Sequence, residues 1–168
     1  MPRAAFLLGL ALTAAISGNA MLTTPDWSGF SWLMGRWIGD GGGVQTGSGS
    51  FSFAPDAGGQ VIVRRNEAVY HAQGGAAPER HQDLMVIYHA GPAVRAIYWD
   101  SEGHVIHYGL VEADAAQVAF VSDDAEGPRF RLTYRRTPAG LEGRFDTAPP
   151  DHRDSFSNYL AWTARRAP

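Results

Sequence analysis

Phe130, Leu132 and Tyr134 alternate with Arg129, Arg131, Thr133 and Arg135, and after a Thr137-Pro138-Ala139-Gly140 break Leu141, Gly143 and Phe145 alternate with Glu142, Arg144 and Asp146. A period of two is that of a strand with one buried face, so residues 129–146 predict a hairpin with a core side and a charged, solvated side. The same pattern recurs along most of the chain. Strand-like runs at 48–53, 60–71, 80–89, 93–99, 104–111, 117–122 and 156–166 are separated by clusters of Gly, Pro, Asp and Ser. Ahead of them, Leu33-x-Gly35-x-Trp37-x-Gly39-x-Gly41-x-Gly43 alternates glycine with larger residues, as in a strand that bends tightly or is closely approached. Its second half reads alternatively as a glycine loop over 39–49. Residues 27–33 are too few for a full helix and predict one helical or 3₁₀ turn that tucks Trp27, Phe30 and Trp32 against a core.

These patterns predict an all-β domain: an antiparallel up-and-down β-barrel of about ten strands, preceded by a short helical turn. Closing the meander into a barrel removes the edge strands that would otherwise invite aggregation. Runs 83–89, 93–99 and 104–111 are apolar on both faces, so they call for cover on the outside as well, from loops or from a second copy in a homodimer.

The first 20 residues read differently. Arg3 precedes an uncharged apolar run over 4–17, and Gly18-Asn19-Ala20 puts small residues at the positions a signal peptidase requires. The run is shorter than the roughly 20 residues a membrane-crossing helix needs. A cleaved signal peptide (1–20), a single barrel domain (21–168), no membrane span and a periplasmic or secreted location are therefore expected. The chain has no cysteine and no lysine, which removes disulfides, thiolate nucleophiles and Schiff-base chemistry. After cleavage, 13 Arg stand against 17 Asp plus Glu, a balance unlike that of a nucleic-acid binder.

Candidate polar chemistry is densest in and beside the stretch 93–111. Asp100-Ser101-Glu102-Gly103 is a hairpin turn, and two loops suit it. A four-residue loop sets Trp99 opposite His104, Ile97 opposite Ile106 and Arg95 opposite Tyr108. A three-residue loop with Gly103 as a bulge sets Trp99 opposite Val105 and exchanges the faces. The first is preferred, because it pairs the two isoleucines and places Arg95 against Tyr108. It turns His107 and Tyr98 inward and leaves His104 near the rim. Arg64-Arg65-Asn66-Glu67 interrupts an apolar strand, so two of the four must face inward and a buried arginine must find a partner such as Asp83 or an anionic ligand. Arg65, Asp83, Tyr98 and His107 are the ligand-binding candidates from this reading.

His81-x-Asp83 shares one strand face and could join His104 or His107 around zinc or a similar ion. Hydrogen bonding within a barrel wall is the preferred account of the pair, and no metal is expected. Asp100 and Glu102 read as turn formers rather than a glycosidase pair. No nucleophile elbow or phosphate loop is present.

Leu33-x-Gly35-x-Trp37-x-Gly39-x-Gly41 resembles the opening strand of the calycin barrels: Gly35-x-Trp37 is similar to the lipocalin G-x-W element, and the longer glycine spacing to nitrobindin-like haem-binding barrels. The resemblance implies that Gly35 and Trp37 are structural and that the tryptophan seals the barrel base under an arginine, Arg165 or Arg166. It also implies a cavity for a small apolar or aromatic molecule. Nitrobindin-like barrels carry a haem-ligating histidine in the closing strand, ahead of Leu. Here Asn158 or Tyr159 holds that place before Leu160, so these two join the ligand-binding candidates and no haem or other cofactor is expected. The function expected is ligand binding without turnover. The alternatives are an enzyme using the His and Arg cluster around the hairpin, or a filled barrel that binds a partner.

Overall fold

A computed structural model describes residues 24–39, 47–70, 77–123 and 126–168. The proposed signal segment 1–20 and the glycines at 41 and 43 lie outside the described residues. The strands are β1 (Gly35–Gly39), β2 (Gly47–Asp56), β3 (Val61–Tyr70), β4 (Glu79–Ala90), β5 (Ala93–Asp100), β6 (Val105–Ala113), β7 (Gln117–Ser122), β8 (Arg129–Thr137), β9 (Gly140–Ala148) and β10 (Ser157–Arg166). Each pairs antiparallel with its sequence neighbours, and β1 pairs with β10, so the meander closes into a barrel. The all-β up-and-down expectation holds, including the 3₁₀ turn (Ser28–Leu33) that precedes β1.

That turn plugs one end of the barrel. Its buried Phe30 and Leu33 join Trp37, Phe53, Phe120 and Tyr134 in one apolar cluster, in which Phe53 and Tyr134 meet edge to face at 5.3 Å. The three indole N–H groups at this end each find a carbonyl, as a tryptophan taken out of water requires: Trp27 on Gly59 at 2.9 Å, Trp32 on Asp114 at 2.9 Å and Trp37 on Leu33 at 2.8 Å. The first two tie the plug to the β2–β3 and β6–β7 turns. Arg166 caps the seal. Its guanidinium lies 4.2 Å over the Trp37 ring and donates to the carbonyls of Met34 and Trp32. Arg166 rather than Arg165 therefore covers the tryptophan. Gly35 makes room for it: its φ is +103°, and a Cβ there would stand 2.7 Å from the Arg166 Nη1.

The 129–146 hairpin has the faces its alternation predicts. Leu132 and Tyr134 are buried, and on the outer side Asp146 accepts from Arg131 at 3.0 Å and Arg144 at 3.2 Å. Among the described residues, no segment supplies the outer cover expected for β5 and β6. Trp99, Val105 and Val111 are 38 %, 53 % and 62 % exposed.

The central hairpin takes the other register. Trp99 pairs with Val105, Ile97 with His107, and Arg95 with Gly109. Asp100 closes a three-residue loop by donating its N–H to the His104 carbonyl at 3.3 Å, and Gly103 sits at φ +91°. The four-residue expectation is thus corrected, and the reason is local. The Asp100 Oδ1 accepts the backbone N–H groups of Glu102 and His104 at 3.0 and 2.9 Å, capping the tighter turn. Those bonds outweigh the Ile97–Ile106 pairing on which the other loop rested.

Candidate functional site

At the end opposite the plug, the barrel opens into a cavity of about 780 Å³. This is the size range of sites that take a drug-sized molecule. Its walls are sorted by chemistry. Ile106 and Tyr108 of β6, Leu132 of β8, Phe145 of β9 and Trp162 of β10 form an apolar arc. Arg64 and Asn66 of β3, His81 and Asp83 of β4, and Tyr98 and Asp100 of β5 form a polar arc.

Register assembles the polar arc. Asn66 pairs with Asp83 and Asp83 with Asp100, so their side chains share one inward row; Ala68 pairs with His81 in the row nearer the mouth. Trp162 owes its place to β9. It pairs with Gly143, and a Cβ on Gly143 would lie 2.0 Å from the indole ring.

Asp83 is the hub. It forms a buried ion pair with Arg64, accepts from Asn66 at 2.8 Å and faces the His81 Nε2 at 3.2 Å. Burial alone would raise its pKa, but the Arg64 charge and the His81 and Asn66 hydrogen bonds outweigh it and hold Asp83 below the usual carboxylate range. The Tyr98 hydroxyl lies 3.4 Å from His81 and donates to Asp100 at 3.3 Å. Burial pushes the Tyr98 phenol upward, so it stays a neutral donor.

His81 has a carboxylate on each ring nitrogen: Asp83 on Nε2 and Glu102 on Nδ1, at 2.7 Å. The Asp83 hydrogen bond, opposed by burial and reinforced by Glu102, raises its pKa to about 9. A folded-state value above the ordinary 6.5 stabilises the fold fully below pH about 6.5, and the contribution is lost as pH rises through about 9. Asp83 and Asp146 act oppositely: both are lowered, so their stabilisation is present above about 3.9 and is lost on acidification. The urea midpoint of the wild type should therefore fall between neutral and alkaline pH, and His81→Gln should flatten that limb while leaving the acid limb in place. An unchanged alkaline slope in the variant would contradict the assignment.

The structure brings only part of the expected set together. Asp83, Tyr98 and Tyr159 line the cavity, Tyr159 at the mouth and 75 % exposed. Arg65 lies on the outer wall, in a shallow groove with Arg36 and Trp99, and the inward arginine is Arg64. His107 is exposed on the outer face, because the shorter hairpin loop reverses its side; His104 lines the mouth instead. Asn158 donates to the outer-lattice carboxylate of Asp146 at 3.1 Å and to the Leu160 carbonyl at 3.0 Å, a local bulge in β10 separating it from Leu160. Arg64, Asn66, His104 and the pairing of His81 with Glu102 were not singled out as ligand contacts. Strand pairing could have found the first two: Phe53 and Phe51 of β2 sit opposite Arg64 and Asn66, and those aromatics mark the inner face.

Among the described residues, no helix is long and apolar enough to cross a membrane. Comparison with protein-family models and with curated proteins gives no match.

Proposed function

We propose that this chain is an exported, calycin-like barrel that binds a small, mostly apolar molecule and releases it unchanged. The observation that carries the reading is the sorted cavity, with an apolar arc on β6 and β8–β10 facing a hydrogen-bonding arc on β3–β5 and an open mouth. A ligand with an apolar or aromatic body and one polar end matches it: the body buries against Leu132, Phe145 and Trp162, while Tyr98 and His81 meet the polar end. Sites of this kind take most of their affinity from buried apolar area and their orientation from a few fixed polar groups.

The polar groups favour binding over turnover. Asp83 is bonded to both Arg64 and Asn66, although the buried Arg64 Nε keeps no partner, and the Arg65 and His107 of the enzyme alternative face outward. The calycin assignment is supported by Gly35-x-Trp37 and by the Arg166 guanidinium stacked on that tryptophan. Export to the periplasm or exterior rests on the 4–17 apolar run and the small residues at 18–20.

The test fills the cavity. Mature protein should enhance the fluorescence of N-phenyl-1-naphthylamine, an apolar aromatic probe, in a saturable way. Ile106→Trp, which projects into the cavity, should weaken that binding at least tenfold, whereas His107→Trp on the outer face should leave it unchanged. Equal responses from the two variants would place the probe outside the barrel and remove the reading.

A further inference from the structure

We propose that the rim of this cavity holds a divalent transition-metal ion on Asp100, Glu102 and His104. A ligand atom from each lies within 4.8 Å of the other two. The His104 Nδ1 is 2.8 Å from the Asp100 Oδ2 and 3.7 Å from a Glu102 oxygen. An ion bonded at about 2.0–2.2 Å to nitrogen and oxygen donors needs them roughly 3.3–3.5 Å apart around a tetrahedron. The observed spacings bracket that value, and small rotations of exposed side chains reach it.

The hairpin turn does not account for this convergence. Asp100 caps the turn with Oδ1 alone, which leaves Oδ2 between the His104 Nδ1 and the Tyr98 hydroxyl, at 2.8 and 3.3 Å. Glu102 contributes its backbone N–H to the turn, yet its carboxylate is placed between two imidazoles: the His81 Nδ1 from β4 at 2.7 Å and the His104 Nδ1, just ahead of β6, at 3.7 Å. Here His81 holds the carboxylate from behind, as outer partners hold metal-ligating carboxylates.

One imidazole and two carboxylates form a mixed nitrogen and oxygen donor set, which suits zinc, cobalt or nickel ions better than magnesium or calcium. The two carboxylates balance the charge of a dication. All three residues also line the cavity. The open coordination positions therefore face the space where a small molecule would enter, and they would take water or a ligand donor atom.

The test uses chelator-treated mature protein titrated with Co(II), followed by its visible ligand-field bands, and with Zn(II) in a calorimeter. The expected result is one ion per chain with micromolar or tighter affinity, and Zn(II) displacing Co(II) while excess Mg(II) does not. His104→Ala and Glu102→Gln should each weaken binding at least tenfold, and His104→Ala should do so with an unchanged urea midpoint, since its side chain is 64 % exposed. His107→Ala and His152→Ala, at exposed histidines elsewhere, should have no effect. Absence of a one-to-one Co(II) spectrum, or an equal loss in either control variant, would overturn the site. No organic ligand enters the experiment, so its failure leaves the cavity reading untouched.

Discussion

Asp83→Leu alone should destabilise the barrel by about 3–5 kcal/mol in urea unfolding, the range for removing one partner of a buried ion pair. Arg64 is 5 % exposed and Asp83 9 %. Without Asp83, the guanidinium would remain charged in the wall with no counter-ion. It cannot escape by losing its proton. Burial opposes its charge, but in the native protein the Asp83 carboxylate more than compensates, and arginine's own basicity keeps it ionised in the variant. Asn66 and His81 would each lose an acceptor as well. The double variant Arg64→Met with Asp83→Leu should recover most of the loss, because an apolar pair of similar volume avoids the desolvation that the ion pair must offset. Losses that simply add in the double variant would show that the two residues act independently.

Trp37→Ala is the second large effect, again about 3–5 kcal/mol, as for other buried aromatic truncations. The ring is 2 % exposed and lies nearly parallel to Phe51, with centroids 6.4 Å apart and planes 16° apart. Arg166 covers its other face. Removing the indole would leave a void between plug and barrel, free the Leu33 carbonyl and deprive Arg166 of its platform. Trp37→Phe should cost less, since a six-membered ring stays and the loss is confined to the indole's five-membered ring and its 2.8 Å bond to Leu33. A loss below about 1 kcal/mol for Trp37→Ala would mean that the plug does not depend on this seal.

How far the sequence could be read differs between the fold and the cavity, and parity explains why. The 129–146 hairpin shows its faces, because polar or charged residues alternate with apolar ones or glycine over 129–135 and again over 141–146. In β3 the apolar triplet Val61-Ile62-Val63 precedes two arginines, so the strand carries no internal parity mark. The choice between Arg64 and Arg65 then falls to cross-strand pairing with Phe53, which is a tertiary fact. The 93–111 hairpin failed in a related way. Ile97 against Ile106 looked decisive, yet the hydrogen bonds of one aspartate side chain set the loop length. A slip of one residue then moved His107 out and His104 to the mouth. In β10, at the bulge between Asn158 and Leu160, Asn158 bonds to Asp146 on the outer side while Tyr159 stays at the cavity mouth. The Trp37 seal was legible only through the resemblance to calycin barrels, which left Arg165 and Arg166 open, and the pairing of Trp37 with Arg166 decides between them.

The most direct test of a ligand-binding barrel is native mass spectrometry of the protein taken from its own cells without refolding. The account predicts a species heavier than the polypeptide by one small organic molecule, released on activation and absent from Ile106→Trp prepared in the same way. A wild-type spectrum showing only the bare chain, together with no uptake of the naphthylamine probe, would contradict it.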